Sequence, residues 1–293
     1  MGESREKILF VGLGMMGRPM AALLAEAGYL LLVSDTDQAV VGEVCQQTGA
    51  QALLASASLA DVDIVITMLP NSRIVNQVLI GDDGLAARLR PGTCVIDMSS
   101  SEPLETQSLA RRLATLSLEF LDAPVSGGVK RAISGKLAIM VGGDEQTLHA
   151  RARVLAVLGN ITHVGPAGAG HAVKALNNYV SAAGLLATVE ALHAGEKFGI
   201  NPAVMTNVLN NASGANFATE NKVQQFMLSG SYASGFALQL MVKDLKIAIS
   251  LGEHMDQPMK LGHECLAVWQ EAAEHSTPRT DHTEMYRLVG DHG

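Results

Sequence analysis

Cysteine and aromatic residues are scarce in this chain. Among its 293 residues there are three cysteines and one tryptophan, and aromatic side chains make up 4%. Cys45, Cys94 and Cys265 have no metal-ligand spacing, and an odd number of cysteines gives no closed disulfide framework. We therefore expect no bound metal and a reducing, cytoplasmic location. So few aromatic side chains also disfavour a stacking surface for single-stranded nucleic acid.

Positive charge and long apolar runs are lacking as well. The chain has 21 lysines and arginines against 29 acidic residues, a formal net charge of −8. This balance disfavours binding to nucleic-acid phosphates or to an anionic membrane surface. Apolar stretches such as ILFVGLGMMG are broken by glycine and fall short of the roughly 18 residues that a membrane span needs. The charged start MGESREK is unlike a signal peptide, so we expect neither nucleic acid nor membrane as a partner.

Short apolar runs alternate with helical patterns in the first half of the chain. The runs that resemble strands cover residues 8–12, 30–34, 63–69, 93–98, 119–123 and 138–141. Helical patterns cover residues 18–27, 39–47, 72–79, 84–89, 104–117 and 145–158. Nearly continuous apolar strands between helices are typical of a parallel sheet that helices cover on both faces. We therefore predict an α/β domain with a mainly parallel sheet.

The second half of the chain has helical patterns and no convincing strand. A long helix is predicted from about Gly170 to Phe198, and further helices over 202–210, 219–228, 238–254 and 259–275. The glycine-rich segment VGPAGAG precedes the long helix and marks a change of pattern near residue 165. The sequence therefore predicts an α/β domain over residues 1–165 and an all-α domain over residues 166–293.

A dinucleotide-binding pattern follows the first predicted strand. It reads Gly12-Leu13-Gly14-Met15-Met16-Gly17. Gly12 permits the tight turn, Gly14 allows the backbone to approach a pyrophosphate, and Gly17 allows close packing of helix on strand. The N–H groups at the start of the following helix then face the phosphates. Because a strand precedes the glycines and a helix follows them, we predict that these six residues bind a dinucleotide.

An acidic residue at the end of the second predicted strand indicates which dinucleotide is bound. Asp35 lies 23 residues after Gly12, at the position that accepts hydrogen bonds from a ribose 2′-hydroxyl. Its carboxylate would repel a 2′-phosphate, and Asp37 adds a second negative charge. The segment SDTDQ contains no arginine or lysine to neutralise such a phosphate. We therefore predict NAD rather than NADP as the cofactor.

Five motifs, in order along the chain, point to a known family. They are GLGMMGRPM at residues 12–20, MLPNS at 68–72, DAPVSGG and AISGKL within 122–137, GAGHAVKALNN at 168–178 and KDL at 243–245. Together they resemble the β-hydroxyacid dehydrogenase family, which includes 3-hydroxyisobutyrate dehydrogenase and tartronate semialdehyde reductase. The resemblance implies a Rossmann-type N-terminal domain, an all-α C-terminal domain, a long helix that joins them, and a cleft for nicotinamide and substrate.

The GAGHAVKALNN motif contains the candidate catalytic residues. Lys174 and Asn178 are four residues apart, so a helix places them on one face, one turn from each other. The resemblance implies that Lys174 is the general acid/base and that Asn178 binds and orients the substrate oxygen. Apolar neighbours of Lys174 indicate a partly buried segment, and burial favours the neutral amine that a base requires.

The other motifs provide candidate binding residues. Ser126, Gly127 and Gly128 follow a strand and can present backbone N–H groups and a hydroxyl to an anion. The resemblance implies that these three residues hold the substrate carboxylate. It also implies that the ribose and nicotinamide contact Met68, Leu69, Pro70, Asn71 and Ser100. Lys243 is implied near both cofactor and substrate, and Phe236 either lines the cleft or packs in the core.

Taken together, these features predict an NAD-dependent oxidoreductase. It would transfer a hydride reversibly between a small 3-hydroxy acid and its semialdehyde, with a carboxylate substrate as its partner. Apolar helices in the second half favour a homodimer or homotetramer. Two alternatives are a reductase of a different aldehyde, an imine or a sulfonated analogue, and a non-catalytic dinucleotide-binding scaffold. Lys174 argues against imine reduction and the scaffold, because such relatives lack the lysine.

Overall fold

The chain forms two compact units in a computed structural model that describes residues 6–289. The first unit ends at Lys174 and the second begins at Ala175. Within the described residues, no helix combines the length and the apolar character that a membrane span requires. The prediction of no signal peptide was based on the segment MGESREK at the start of the sequence. Residues 1–5 of that segment lie outside those that the structure describes.

One sheet forms the centre of the first unit. Its nine strands within residues 6–289 are β1 (Lys7–Val11), β2 (Leu30–Ser34), β3 (Gln51–Ala52), β4 (Ile64–Thr67), β5 (Cys94–Asp97), β6 (Glu119–Asp122), β7 (Val125–Ser126), β8 (Leu137–Gly143) and β9 (Gly159–Gly165). The order is β3-β2-β1-β4-β5-β6-β8, and β7 and β9 also pair with β8. Strands β1 to β6 pair in parallel, whereas β8 is antiparallel to β6 and β7. The predicted mainly parallel, Rossmann-type sheet is confirmed. Its strand order reverses between β1 and β4, which are parallel neighbours.

Helices cover both faces of this sheet. They are α1 (Gly17–Glu26), α2 (Gln38–Thr48), α3 (Ser72–Ile80), α4 (Pro103–Thr115), α5 (Gly128–Ile133) and α6 (Glu145–Leu158), with a short 3-10 helix at Leu85–Arg88. Alternate residues of β1 enter different cores: Ile8 and Phe10 pack in one, Leu9 and Val11 in the other. Burial on both faces explains why the strand is apolar at every position from Ile8 to Val11 rather than at every second one.

The second half of the chain is helical, as predicted. Its elements are α7 (Ala169–Lys197), α8 (Pro202–Asn210), α9 (Phe217–Asn221), a π-helical turn (Val223–Met227), α10 (Leu238–His254), α11 (Lys260–Glu274), a 3-10 turn (His282–Glu284) and α12 (Met285–Leu288). The first residues of α7 belong to the first unit and the rest to the second. The core of the second unit surrounds the fully buried Trp269, with Leu192 of α7 and Leu245 of α10 in the same cluster.

Several short elements differ from the sequence-based expectation. Strand β9 was not expected, because its sequence GNITHVG has few apolar residues and an edge strand buries little surface. Helix α5 was not predicted, since its first residue is glycine and it has only six residues. The helix expected over 219–228 is divided into α9 and the π-helical turn. Each difference concerns a segment that tertiary contacts, rather than local periodicity, hold in place.

The junction of β8 with the start of α7 is packed too closely for side chains. A Cβ atom on Gly142 would lie 2.8 Å from the backbone nitrogen of Gly170. A Cβ atom on Gly170 would collide with the carbonyl oxygen of Met140 and lie 2.8 Å from a carboxylate oxygen of Asp122. The two glycines therefore let the first turn of α7 lie directly against the sheet.

We expect Gly170→Ala to lower the free energy of unfolding by about 1–3 kcal/mol, because the colliding carbonyl belongs to a strand and cannot move aside. Gly42→Ala is the matched control, since Gly42 is an exposed position inside α2 with nothing within 4 Å of its Cβ position. The control should be stabilising by about 0.5–1 kcal/mol. Urea unfolding monitored by circular dichroism measures both changes. Equal stability of the two variants would contradict the close packing at this junction.

Candidate active site

The loop between β1 and α1 has the shape that a pyrophosphate requires. Gly12 has φ +99°, and a Cβ atom there would collide with the carbonyl oxygen of Met68. A Cβ atom on Gly17 would collide with the carbonyl oxygen of Gly12, so helix and strand approach each other closely. Gly14, in contrast, has no heavy atom within 4 Å of its Cβ position. The loop is closed toward the sheet and open beside Gly14.

The start of α1 has features that suit an anion. Its N-cap residue, Met16, makes no side-chain capping hydrogen bond, and the first turn contains no acidic residue. Met15 is 73% exposed, whereas Leu13 is buried. The Arg18 N–H is already donated to the carbonyl oxygen of Gly14, and Pro19 has no N–H. The helix dipole and the backbone N–H groups of the preceding loop are therefore what favour a phosphate at this end. The residues present therefore fit the pyrophosphate of a dinucleotide.

Asp35 connects the end of β2 to this loop. One carboxylate oxygen accepts a hydrogen bond of 2.6 Å from the backbone nitrogen of Leu13, and the other accepts one of 2.9 Å from that of Asp37. Burial disfavours the charged form, but the hydrogen bonds from Asp37 and Leu13 outweigh it and lower the pKa of Asp35. The carboxylate is thus kept ionised beside the glycine loop, as recognition of a ribose hydroxyl requires.

The segments after β4 and β5 lie at the same sheet edge as the glycine loop. Met68 donates its backbone N–H to the carbonyl oxygen of Val11, directly before Gly12. Leu69 donates its backbone N–H to Ser99 Oγ at 2.9 Å, which joins the segment that contains Pro70 to the one that contains Ser100. The side chain of Asn71 caps α3 by accepting from the backbone nitrogen of Ile74 at 3.0 Å. The structure therefore brings the predicted cofactor residues of the first unit to one edge.

The predicted carboxylate-binding residues lie between β7 and α5. Ser126 ends β7, and Gly128 begins α5. Gly127 has φ +129° and Gly128 has φ +66°, a backbone region that favours glycine. A Cβ atom on Gly127 would also meet the side chain of Arg131. These three residues therefore form a tight strand-to-helix turn.

Lys174 lies in the second turn of α7 and is 7% exposed. The turn before it is fixed by Asp122, at the end of β6. One carboxylate oxygen of Asp122 accepts from the backbone nitrogen of Gly168 at 2.8 Å, and the other accepts from that of His171 at 2.9 Å. The lysine predicted to exchange a proton is therefore buried on a helix whose start is anchored to the sheet.

In the second unit, one carboxylate joins two of the predicted site residues. Asp244 is buried and accepts a hydrogen bond of 2.5 Å from Asn178 Nδ2, while Lys243 Nζ lies 3.6 Å from its other oxygen. Asn177 Nδ2 donates to Asn178 Oδ1 at 3.1 Å. These contacts fix the orientation of the Asn178 amide. Asp244 was missed as a site residue; the only sequence signal was its place in the KDL motif.

Phe236 lies in a loop that residues near the C-terminus hold in place. Its ring packs edge-on against that of His282, with centroids 5.6 Å apart. Asp281 accepts hydrogen bonds from Ser234 Oγ at 2.8 Å and from the backbone nitrogen of Gly235 at 2.8 Å. His282 returns a backbone hydrogen bond of 2.9 Å to the carbonyl oxygen of Phe236. Phe236 is half-buried, so its ring has both a packed and an accessible side.

No group of three or more His, Cys, Asp or Glu side chains is placed to hold a metal ion in the part of the chain that the structure describes. The three cysteines are free thiols, and Cys94 and Cys265 are buried. Burial raises the pKa of the Cys94 thiol to about 12 and that of Cys265 to about 11, which keeps both protonated. Neither thiol is therefore a nucleophile.

The fold and the glycine loop define a dinucleotide-binding protein, and comparison with known proteins extends this result. A family model described as the NAD binding domain of 6-phosphogluconate dehydrogenase matches residues 7–165. A second, described as NAD-binding of NADP-dependent 3-hydroxyisobutyrate dehydrogenase, matches residues 168–289. The 2-(hydroxymethyl)glutarate dehydrogenase of Eubacterium barkeri is 40% identical over 261 residues, which cover 88% of this chain and 86% of that protein.

Two further relatives match almost the whole chain. The NAD-dependent L-serine dehydrogenase of Pseudomonas aeruginosa is 34% identical over 290 residues, 97% of each protein. The 3-hydroxyisobutyrate dehydrogenase of Mycobacterium tuberculosis, solved with L-serine, superposes with a TM-score of 0.90 at 31% identity, covering 98% of this chain and 99% of that one. The chain therefore belongs to the β-hydroxyacid dehydrogenase family, and the first unit binds a nicotinamide dinucleotide.

His282, which packs against Phe236, should make the stability of the protein depend on pH. Burial, together with the charge of Lys222, lowers the pKa of His282 to about 4, although Asp281 acts in the opposite direction. An unfolded histidine titrates near 6.5, so the unfolded state binds more protons between pH 6.5 and 4. The free energy of unfolding should fall by about 3 kcal/mol as the pH decreases through this window.

Replacement of His282 tests the assignment of this slope. His282→Gln should remove most of the stability loss between pH 6.5 and 4, whatever its stability at pH 7, whereas His149→Gln, at an exposed position, should retain it. Burial raises the pKa of Asp281, but hydrogen bonds from Thr283 and Ser234 lower it by more. Asp281 therefore affects stability only below its unfolded pKa of 3.8. Urea titrations at several pH values measure the slope. An unchanged slope in His282→Gln would assign the titration to another group.

Proposed function

We propose that this protein is an NAD-dependent dehydrogenase that oxidises a small 3-hydroxy acid to its semialdehyde and catalyses the reverse reduction. The proposal rests on one observation above all: Lys174, a buried amine, lies one turn into a helix whose start is anchored by Asp122. The named substrates of three relatives support the substrate class. 2-(Hydroxymethyl)glutarate, L-serine and 3-hydroxyisobutyrate each have a hydroxymethyl group on the carbon that bears a carboxylate.

Each predicted site residue has a role in this reaction. Ser126, with the backbone N–H groups of Gly127 and Gly128, binds the substrate carboxylate. Asn178, whose amide is oriented by Asp244, donates a hydrogen bond to the reacting oxygen. Lys243 provides a positive charge beside the substrate, and the Phe236 ring shields the reacting carbon from water.

Lys174 exchanges the proton. In the oxidation, the neutral amine of Lys174 removes the hydroxyl proton while the carbon–hydrogen bond breaks and a carbonyl forms. A nicotinamide dinucleotide bound by the first unit would supply the hydride acceptor for the oxidation and the hydride donor for the reduction. In the reduction, the protonated Lys174 donates its proton to the carbonyl oxygen. An acid/base placed in this way accelerates a reaction by roughly 10²–10⁴-fold.

The cofactor residues of the first unit favour NAD. The pyrophosphate would bind the backbone of the six-residue loop, and the ribose and nicotinamide would contact the segments that contain Met68, Leu69, Pro70, Asn71 and Ser100. The ionised Asp35 accepts hydrogen bonds from the 2′-hydroxyl and repels a 2′-phosphate. NAD is therefore the proposed cofactor rather than NADP.

We also propose a domain boundary at residue 165, a cytoplasmic location and a homo-oligomeric state. Self-association is supported by large apolar side chains in the second unit that are exposed in a single chain. Phe198 is 85% exposed, and Val204 and Val208, one turn apart on α8, are 58% and 61% exposed. Exposed apolar surface of this kind favours contact with a second copy.

Lys174→Ala should lower kcat by about 10²–10⁴-fold, because the proton acceptor is lost, while the Kd for NAD+ stays within a few-fold of the wild-type value. The matched control is Lys197→Ala, at the exposed end of the same helix, which should have wild-type kcat. Activity is measured as NADH formation with a substrate panel of 3-hydroxypropionate, 3-hydroxyisobutyrate and L-serine. Wild-type kcat in the Lys174→Ala variant would remove Lys174 from the proposed role.

Asp35→Ala should lower the preference for NAD+ over NADP+ by at least tenfold, because the variant lacks the carboxylate that repels the 2′-phosphate. Asp37→Asn is the control, since asparagine preserves the cap of α2 but removes a nearby negative charge. The control should change the preference much less. The ratio of kcat/KM for the two cofactors measures the effect. A wild-type protein that prefers NADP+ would overturn the assignment of Asp35.

A further inference from the structure

A cluster of buried polar side chains lies beneath the start of α7, and none of them exchanges a proton or touches the substrate in the proposed reaction. Asp97, Asp122 and His171 are 1%, 0% and 1% exposed. The imidazole lies between the carboxylates: Nε2 is 3.7 Å from an oxygen of Asp97, and Nδ1 is 3.7 Å from one of Asp122. Such groups are costly to bury unless hydrogen bonds satisfy them. Their partners show what the cluster holds together.

Asp97 fixes the segment that follows β5. One oxygen accepts from Thr67 Oγ1 at 2.9 Å and from the backbone nitrogen of Ser99 at 3.1 Å. The other oxygen accepts from Ser101 Oγ at 2.8 Å. The segment that contains Ser100, a proposed nicotinamide contact, is therefore held on both sides by one carboxylate.

The ring of His171 connects this segment to two helices. Its Nε2 lies 3.0 Å from the carbonyl oxygen of Ser99. A carbonyl only accepts hydrogen bonds, so Nε2 bears the proton in this contact. Its Nδ1 lies 2.9 Å from Thr106 Oγ1, in α4. His171 therefore joins the segment after β5, helix α4 and the first turn of α7 through one imidazole.

Ser99 and His171, the two residues joined by this hydrogen bond, each lie close in sequence to a proposed site residue. Ser100 follows Ser99 directly, and Lys174 follows His171 by three residues, which places the two side chains on neighbouring positions of one helix face. We propose that His171 is a positioning residue: through its bond to the Ser99 carbonyl it fixes Lys174 relative to Ser100. This inference rests on the proposed roles of Lys174 and Ser100, and His171 itself does not touch the substrate.

Substitutions at His171 separate positioning from simple core packing. His171→Gln retains a side-chain N–H that can reach the Ser99 carbonyl, whereas His171→Leu fills similar space without a donor. His163→Leu is the matched control, because His163 also bonds a carbonyl, that of Gly143 at 2.9 Å, but belongs to β9. For the panel acid that the wild-type protein oxidises fastest, His171→Leu should lower kcat at least 30-fold, with KM for NAD+ within about threefold. His171→Gln should recover most of this loss, and His163→Leu should have wild-type kcat.

A second measurement does not depend on turnover. Each folded variant is treated with trinitrobenzenesulfonate, and mass spectrometry follows labelling of Lys174 and of Lys197. If His171 holds Lys174 in its buried position, His171→Leu should label at Lys174 at least tenfold faster than the wild type, with Lys197 unchanged as the internal control. His171→Gln should label at nearly the wild-type rate. If His171→Leu does not fold, Thr106→Val should give the same pattern in weaker form. It removes the partner of His171 Nδ1, together with the Thr106 hydrogen bond to the carbonyl oxygen of Glu102.

The two measurements distinguish the possible failures. If the wild-type protein oxidises no panel acid, the proposed function fails, while faster labelling of Lys174 in His171→Leu still supports positioning. If His171→Leu folds, retains wild-type kcat and labels at the wild-type rate, the positioning role is overturned. A variant that loses thermal stability alone, with kcat and labelling of the folded protein unchanged, also overturns it, since packing then accounts for the residue.

Discussion

The candidate site depends on the hydrogen bonds that the carboxylate of Asp122 accepts from the start of α7. A helix begins with backbone N–H groups that have no partner in the helix itself, and a buried start must satisfy them. Asp122 accepts two hydrogen bonds from this region, those of Gly168 and His171. The glycines at positions 142 and 170 allow the backbones to approach closely enough for these bonds to form. The helix that contains Lys174 is thereby anchored directly to the sheet.

Carboxylates that accept backbone hydrogen bonds recur along one edge of the sheet. Asp35 follows β2, Asp97 ends β5 and Asp122 ends β6. Their carboxylates accept backbone N–H groups from Leu13, Ser99 and His171, respectively. The carboxyl ends of these parallel strands meet at one edge of the sheet. The three residues there hold the glycine loop, the segment around Ser100 and the start of α7, respectively. The site is thus built from irregular segments whose positions are set by acids on rigid strands.

Local signals predicted most of the fold. Strand β2 and helices α6, α8 and α10 have the predicted bounds, because each has a clear periodicity and polar or glycine punctuation at its ends. The glycine loop and Asp35 were found because their chemistry requires fixed residue types at fixed spacing. His171 and Asp244 were not assigned a role, since their partners, Ser99 and Asn178, are 72 and 66 residues away. Contacts over such separations follow from tertiary packing, which no local pattern encodes.

In the proposed reaction, the amine of Lys174 exchanges a proton with the reacting oxygen of a carboxylate substrate. A crystal structure with NAD+ and an unreactive 3-hydroxy acid analogue would show this contact. We expect Lys174 Nζ within about 2.6–3.2 Å of the oxygen that replaces the hydroxyl, with the analogue's carboxylate on the turn at Ser126. An analogue whose oxygen contacts another acid or base, with Lys174 directed elsewhere, would contradict the claim.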